Sequence, residues 1–122
     1  MNILLIAGLW YLGDKAYKKC LRRAFTLEVF LPMDWQEVSE GMYHSPKSGK
    51  AIVILEKTVD EVFAESAKYP AQKSNLPGKL VNYQGTYIYF LINQKSEKGY
   101  IIGFSGMNSL EINAFCQMIK TI

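Results

Sequence analysis

Histidine occurs once and cysteine twice in this 122-residue chain, and that scarcity excludes most catalytic and metal-binding schemes at the outset. No second histidine stands near His44, and Cys20 and Cys116 lie far apart, so no zinc-like ligand spacing exists. Nor do two cysteines make a disulfide framework; both sit among apolar residues and are expected as buried, inert thiols, a bridge between them being the alternative. His44, between Tyr43 and Ser45 on a short strand, reads as a packed or surface residue rather than a general base. The loop acids Asp34, Glu37 and Glu40 are accounted for by solvation. Gly103-Phe-Ser-Gly106 departs from a nucleophile elbow, because the second glycine follows Ser105 directly and no histidine comes after it. A phosphate-binding glycine loop, an internal repeat and a low-complexity tract are also missing. The expectation is a protein that is not an enzyme, with no catalytic residue, metal or cofactor.

A long apolar run is lacking too. Ile3–Leu12 is the most apolar stretch, but it ends at Asp14, well short of the roughly 20 residues that span a bilayer. Charge follows the run instead of preceding it, and the residues around Leu12 are large, against a secretory signal. Tyr17-Lys18-Lys19-Cys20 is equally unsuited to lipoprotein processing. Residues 1–13 are therefore core, interface or a partial membrane anchor, and the expected location is cytoplasmic, with that segment as the route to any membrane association.

What is present is enough apolar sequence, 49%, to fill the core of one domain spanning 1–122. The net charge of +3 is mild, but five of the 14 basic residues (Lys15, Lys18, Lys19, Arg22 and Arg23) directly follow the apolar run. From Asp14 to Ala24 a helical period gathers Ala16, Tyr17, Cys20, Leu21 and Ala24 on one face and these five cations on the other. Such a stripe suits an anionic membrane surface, each cation contributing about 1 kcal/mol, and equally a solvated helix face. Nucleic acid is disfavoured, because no further basic cluster or motif accompanies it.

Strand patterns follow. Phe25–Leu31 alternates, with Phe25, Leu27, Val29 and Leu31 inward, and stops at Pro32, while Trp35 is expected to plug one end of the core. Gly41–Ser45 and Ala51–Glu56 form a hairpin through Pro46-Lys-Ser-Gly49, and Ile52-Val53-Ile54 suggests burial on both faces. Thr58-Val-Asp-Glu61 is a capping box opening a helix to about Lys68, with Val59, Val62, Phe63 and Ala67 as its stripe. Tyr69–Lys79 is the only long loop. Leu80–Tyr83, Thr86–Asn93 and Tyr100–Ser105 make an antiparallel meander, and Asn108 with Glu111 opens a last helix burying Leu110, Ala114, Phe115, Met118 and Ile119. Tyr87 and Tyr89 share one face of their strand with Leu91, a candidate protein interface or a packed layer. The order predicts an α+β domain: a largely antiparallel sheet of about six strands with three flanking helices.

Leu27-Glu-Val-Phe-Leu-Pro-Met-Asp-Trp35, then Gly41-Met-Tyr-His-Ser-Pro46 and the strand at Ala51, resemble the start of PsbP-like domains, which include DcrB-like bacterial lipoproteins. The strand Gly99–Ser105 and the closing helix with Phe115, Met118 and Ile119 resemble that family's ending, so the likeness covers residues 25–122. It implies an antiparallel sheet with flanking helices and a non-enzymatic binding or accessory role. The functional expectation is a non-catalytic protein-interaction module of bacterial accessory or toxin-immunity type, its partner another protein, with a homo-oligomer also open. The alternative is a membrane-docked or small-ligand-binding domain using the N-terminal run and the basic helix.

Overall fold

The computed structural model describes residues 19–70 and 74–121. Its first paired unit is a hairpin of β1 (Lys19–Ala24) and β2 (Leu27–Pro32), in register from Lys19 opposite Pro32 to Ala24 opposite Leu27. Residues 19–24 are thus a strand, not the end of a helix. Burial alternates accordingly: Cys20, Arg22 and Ala24 turn inward while Leu21 and Arg23 are exposed. A short helix is marginal in water, whereas a ladder to β2 pairs all six residues at once. The turn Phe25-Thr26 has no glycine or asparagine to announce it, although Phe25 takes a φ of 58°. The predicted helical residues 14–18 and the run Ile3–Leu12 lie outside the described residues.

The second sheet runs β3 (Gln36–Ser39), β4 (Met42–His44), β5 (Ala51–Thr58), β8 (Lys98–Ser105), β7 (Thr86–Asn93) and β6 (Lys79–Tyr83) in spatial order, antiparallel throughout. A last two-residue strand, β9 (Lys120–Thr121), pairs with the free edge of β2. The helices are α1 (Val59–Ser66) and α2 (Ser109–Met118). Both begin with the predicted capping boxes: Thr58 with Glu61, and Asn108 with Glu111, exchange side-chain and backbone hydrogen bonds.

The period of two sorts the larger sheet into unlike faces. Tyr43, Ile52, Ile54, Tyr89, Leu91, Tyr100 and Ile102 point into the main core, where they meet Ala24, Leu27, Val29 and Leu31 of the hairpin and Ile112, Phe115 and Cys116 of α2. The hydroxyl of Tyr43 donates to the Arg23 carbonyl at 3.4 Å, tying the two sheets. On the other face α1 lays Val62 against Val81 and Phe90, with Tyr69 packed beside them.

The described residues therefore hold nine strands in two antiparallel sheets and two helices, against the six strands and three helices expected. β3 is exposed at every position and β9 has two residues, so neither carries an alternating signal. Two burial expectations also change. Val53 is only half-buried, on the sheet face that carries α1 farther along β8, so of Ile52-Val53-Ile54 only Ile52 and Ile54 are fully buried. In α2 the buried set is Ile112, Phe115, Cys116 and Ile119, while Leu110, Ala114 and Met118 are exposed, because the helix sits on β2 rotated from the expected face. No helix among the described residues is long and apolar enough to cross a membrane.

Candidate functional site

That rotation gives α2 two apolar stripes, one in the core and one on the wall of a cleft. Pro32 ends the pairing of β2, and the chain turns there, with the Trp35 N–H donating to the Pro32 carbonyl at 3.2 Å. Trp35 is thereby set into the core at 6% exposure, as expected of a plug, and it also lines the cleft. The β4–β5 turn forms the opposite lip. It is closed by Ser45 N–H to the Lys50 carbonyl at 2.9 Å and Gly49 N–H to the Ser45 carbonyl at 2.8 Å. Ser45 is buried, and its hydroxyl donates to the Asp34 carboxylate at 3.1 Å, bracing the lips against each other. Between them and α2 lies a cleft of about 530 Å³, whose apolar lining includes Phe30, Pro32, Trp35, Leu110, Ala114 and Phe115. That volume is in the usual range for ligand-binding clefts.

The polar groups at the rim are engaged with one another. Lys50 pairs with Glu111 across the mouth, joining the turn to the first turn of α2. The Lys50 ammonium, and then the Asn108 backbone N–H, hold the Glu111 carboxyl below its usual range. Asp34 is taken up by Ser45, and Lys47 stands exposed at the lip. These acids do not converge on a common point, and among the described residues no group of three His, Cys, Asp or Glu side chains is placed to hold a metal ion. The arrangement offers dehydratable apolar area inside a charged frame.

The residues singled out by sequence go elsewhere. Lys15 and Lys18 lie outside the described residues, and Lys19 opens β1. Arg22 turns inward and donates to the Trp35 carbonyl at 2.8 Å, whereas Arg23 points to solvent beside Glu28 at 3.3 Å. On a strand these neighbours face opposite sides, so the described part of the basic cluster is not one cationic stripe. Tyr89 is fully buried, its hydroxyl accepting from the Gly78 N–H at 2.8 Å, and burial pushes that hydroxyl up to about 12. Tyr87 is half-buried against the same core. Cys20 and Cys116 are free thiols; Cys116 is buried, which pushes it up to about 12, while Cys20 is only half-buried. His44 ends β4 and does not line the cleft, although Ser45 beside it does. Sequence reasoning passed over Phe30, Lys50 and Met107 as site residues and placed Leu110 and Ala114 in the core. A signal existed, since α2 has more apolar positions than one core-facing stripe needs. No family model, curated protein or solved structure matches this chain.

Proposed function

We propose that the chain is a non-catalytic protein-interaction module, of accessory or toxin-immunity type, that receives an apolar segment of another protein in the cleft beside α2. One observation carries this reading: Leu110 stands 80% exposed on the rim of a cleft floored by core aromatic residues. Covering a leucine fully is worth about 1.5–3 kcal/mol, and contact energy concentrates at such anchors when a polar rim excludes water around them. The Lys50–Glu111 and Ser45–Asp34 pairs supply that rim. A binding role without catalysis is also what the likeness to PsbP-like domains over residues 25–122 implies.

The test is a photoreactive side chain placed at Leu110 in cells, with a second placed at Lys95 in the β7–β8 turn as a control. The expected result is one discrete protein adduct at Leu110, none at Lys95, and loss of the adduct in Ala114→Arg. Equal or diffuse labelling at both positions would sink the reading. A small apolar ligand is the second reading, favoured by the cleft volume. It predicts a compound released on denaturation of the purified protein and identifiable by mass spectrometry, and no adduct.

A further inference from the structure

Lys19 opens β1 opposite Pro32, and Pro32 lines the cleft beside α2. Paired positions of an antiparallel ladder stand about 5 Å apart, so the chain enters its first described strand at the lip of that cleft. Before this entry point comes the run Ile3–Leu12, which lies outside the described residues. Seven of its ten residues are Ile, Leu or Trp, and none is charged. So much apolar surface needs cover, and the run falls short of the roughly 20 residues that would take it across a bilayer.

Reach, side and chemistry all select the cleft as that cover. From Leu12 to Lys19 is seven residues, so the near end of the run lies within about 25 Å of the Pro32 lip even with the connection fully extended. The hairpin that the run leads into packs on the core face of the larger sheet, as the cleft-lining α2 does, whereas α1 covers the opposite face. Apolar ground beside α1 at Phe63 would be reached only by rounding the sheet. In the cleft, Phe30, Trp35, Leu110 and Phe115 offer contact to aliphatic and aromatic side chains, with Leu110 standing 80% exposed. The rim charges Lys50 and Glu111 already satisfy each other, so an uncharged occupant strands neither.

We infer that the chain carries its own occupant for the cleft: Ile3–Leu12 seats against Phe30, Leu110 and Ala114, and an incoming partner segment must displace it. This rests on the reading that the cleft receives an apolar segment, and it adds a competitor held in the same chain. A short connection gives an effective concentration in the millimolar range. At about 1 mM, a run that binds with a Kd of only about 100 μM fills the cleft about nine-tenths of the time and weakens a partner's apparent affinity about tenfold. Modest contact energy therefore suffices to close the site to weak partners.

The test uses the purified full chain with a photoreactive side chain at Leu110, irradiated at about 1 μM, far below the effective concentration within the chain. The expected product is an intramolecular link, mapped by mass spectrometry to residues 3–12 and lost in Ala114→Arg and in the double variant Leu5→Glu, Leu9→Glu. A synthetic peptide of residues 1–19, titrated onto that double variant, should shift the amide resonances of Leu110 and Ala114 with a midpoint about tenfold lower than on the unaltered chain. Absence of a self-link, or one whose yield grows with protein concentration, overturns the inference, as does a peptide that binds both chains equally. The two readings fail separately. A cellular adduct at Leu110 without a self-link in the purified chain sinks the internal occupant and keeps the partner. A self-link without a cellular adduct sinks the partner and keeps the internal occupant.

Discussion

Gly99 and Gly103 lie on one strand and one sheet face, yet among the described residues only the first has a side chain seated on it. At Gly99 a Cβ would stand 2.4 Å from Val62 Cγ2, so the missing side chain is the space in which α1 sits. Around it Tyr69 packs edge-on to Tyr83 at 5.4 Å between ring centres and against Phe90 at 6.0 Å. Roughly 13 Å along β8, a Cβ at Gly103 would meet nothing within 4 Å among the described residues. A glycine within a strand is therefore informative only once its cover is known. Where the cover is α1, as at Gly99, the glycine is packing.

The largest expected effect tests the covered half. Gly99→Val drives a branched side chain into Val62 and the Thr58 carbonyl, and should cost about 3 kcal/mol in urea denaturation, whereas Gly103→Val, which meets no described atom within 4 Å, should cost far less. Equal losses would dissolve the distinction. Next is the C-terminal end of α1, where Lys79 Nζ donates to the Ser66 and Tyr69 carbonyls, each at 2.7 Å. Lys79→Met leaves those carbonyls without their charged donor and should cost about 1–2 kcal/mol. Hydrogen exchange should then speed up in α1 and not in β4 or β5. At the other end, Thr58→Ala removes the cap that receives the Glu61 N–H at 3.1 Å, at about 1 kcal/mol, again confined to α1.

Much of this framework was legible because its signals are local. The alternation before Pro32 gave β2, and the two capping boxes placed both helix starts at the residues that cap them. β1 was hidden because its inward row includes Arg22, which is satisfied by the Trp35 carbonyl across the turn; without that partner in view, the cations sort more neatly on a helix. The loop after α1 offered no periodicity, yet Tyr69 and Gly78 pack against β7, a contact visible only in three dimensions. The cleft could not be read at all, since its walls come from residues 30–35, 45–50 and 107–115. Its one sequence trace was the surplus of apolar positions in α2, read as core because nothing local separates a second stripe from the first.

The smallest effect separates the two helix starts by pH. In both, the carboxylate at the third helical position accepts from the capping residue's N–H: Glu61 from Thr58 at 2.9 Å and Glu111 from Asn108 at 3.0 Å. Both carboxyls are held below the ordinary value of 4.5, Glu61 chiefly by that backbone bond and Glu111 chiefly by Lys50. A depressed folded value means stability that is fully present above pH 4.5 and lost as the pH falls through the lowered one. The Thr58 and Asn108 amide resonances should report the two titrations separately. Lys50→Met should raise the Asn108 midpoint toward 4.5 and leave the Thr58 midpoint in place, and added salt should move the Asn108 midpoint the same way by screening the pair. Coincident shifts at both amides would mean that the carboxyls sense the net charge of the whole chain. A shift confined to Asn108 would assign the depression to the Lys50 bridge across the cleft mouth, so that acid loosens the cleft by a route that the covered half of the sheet does not share.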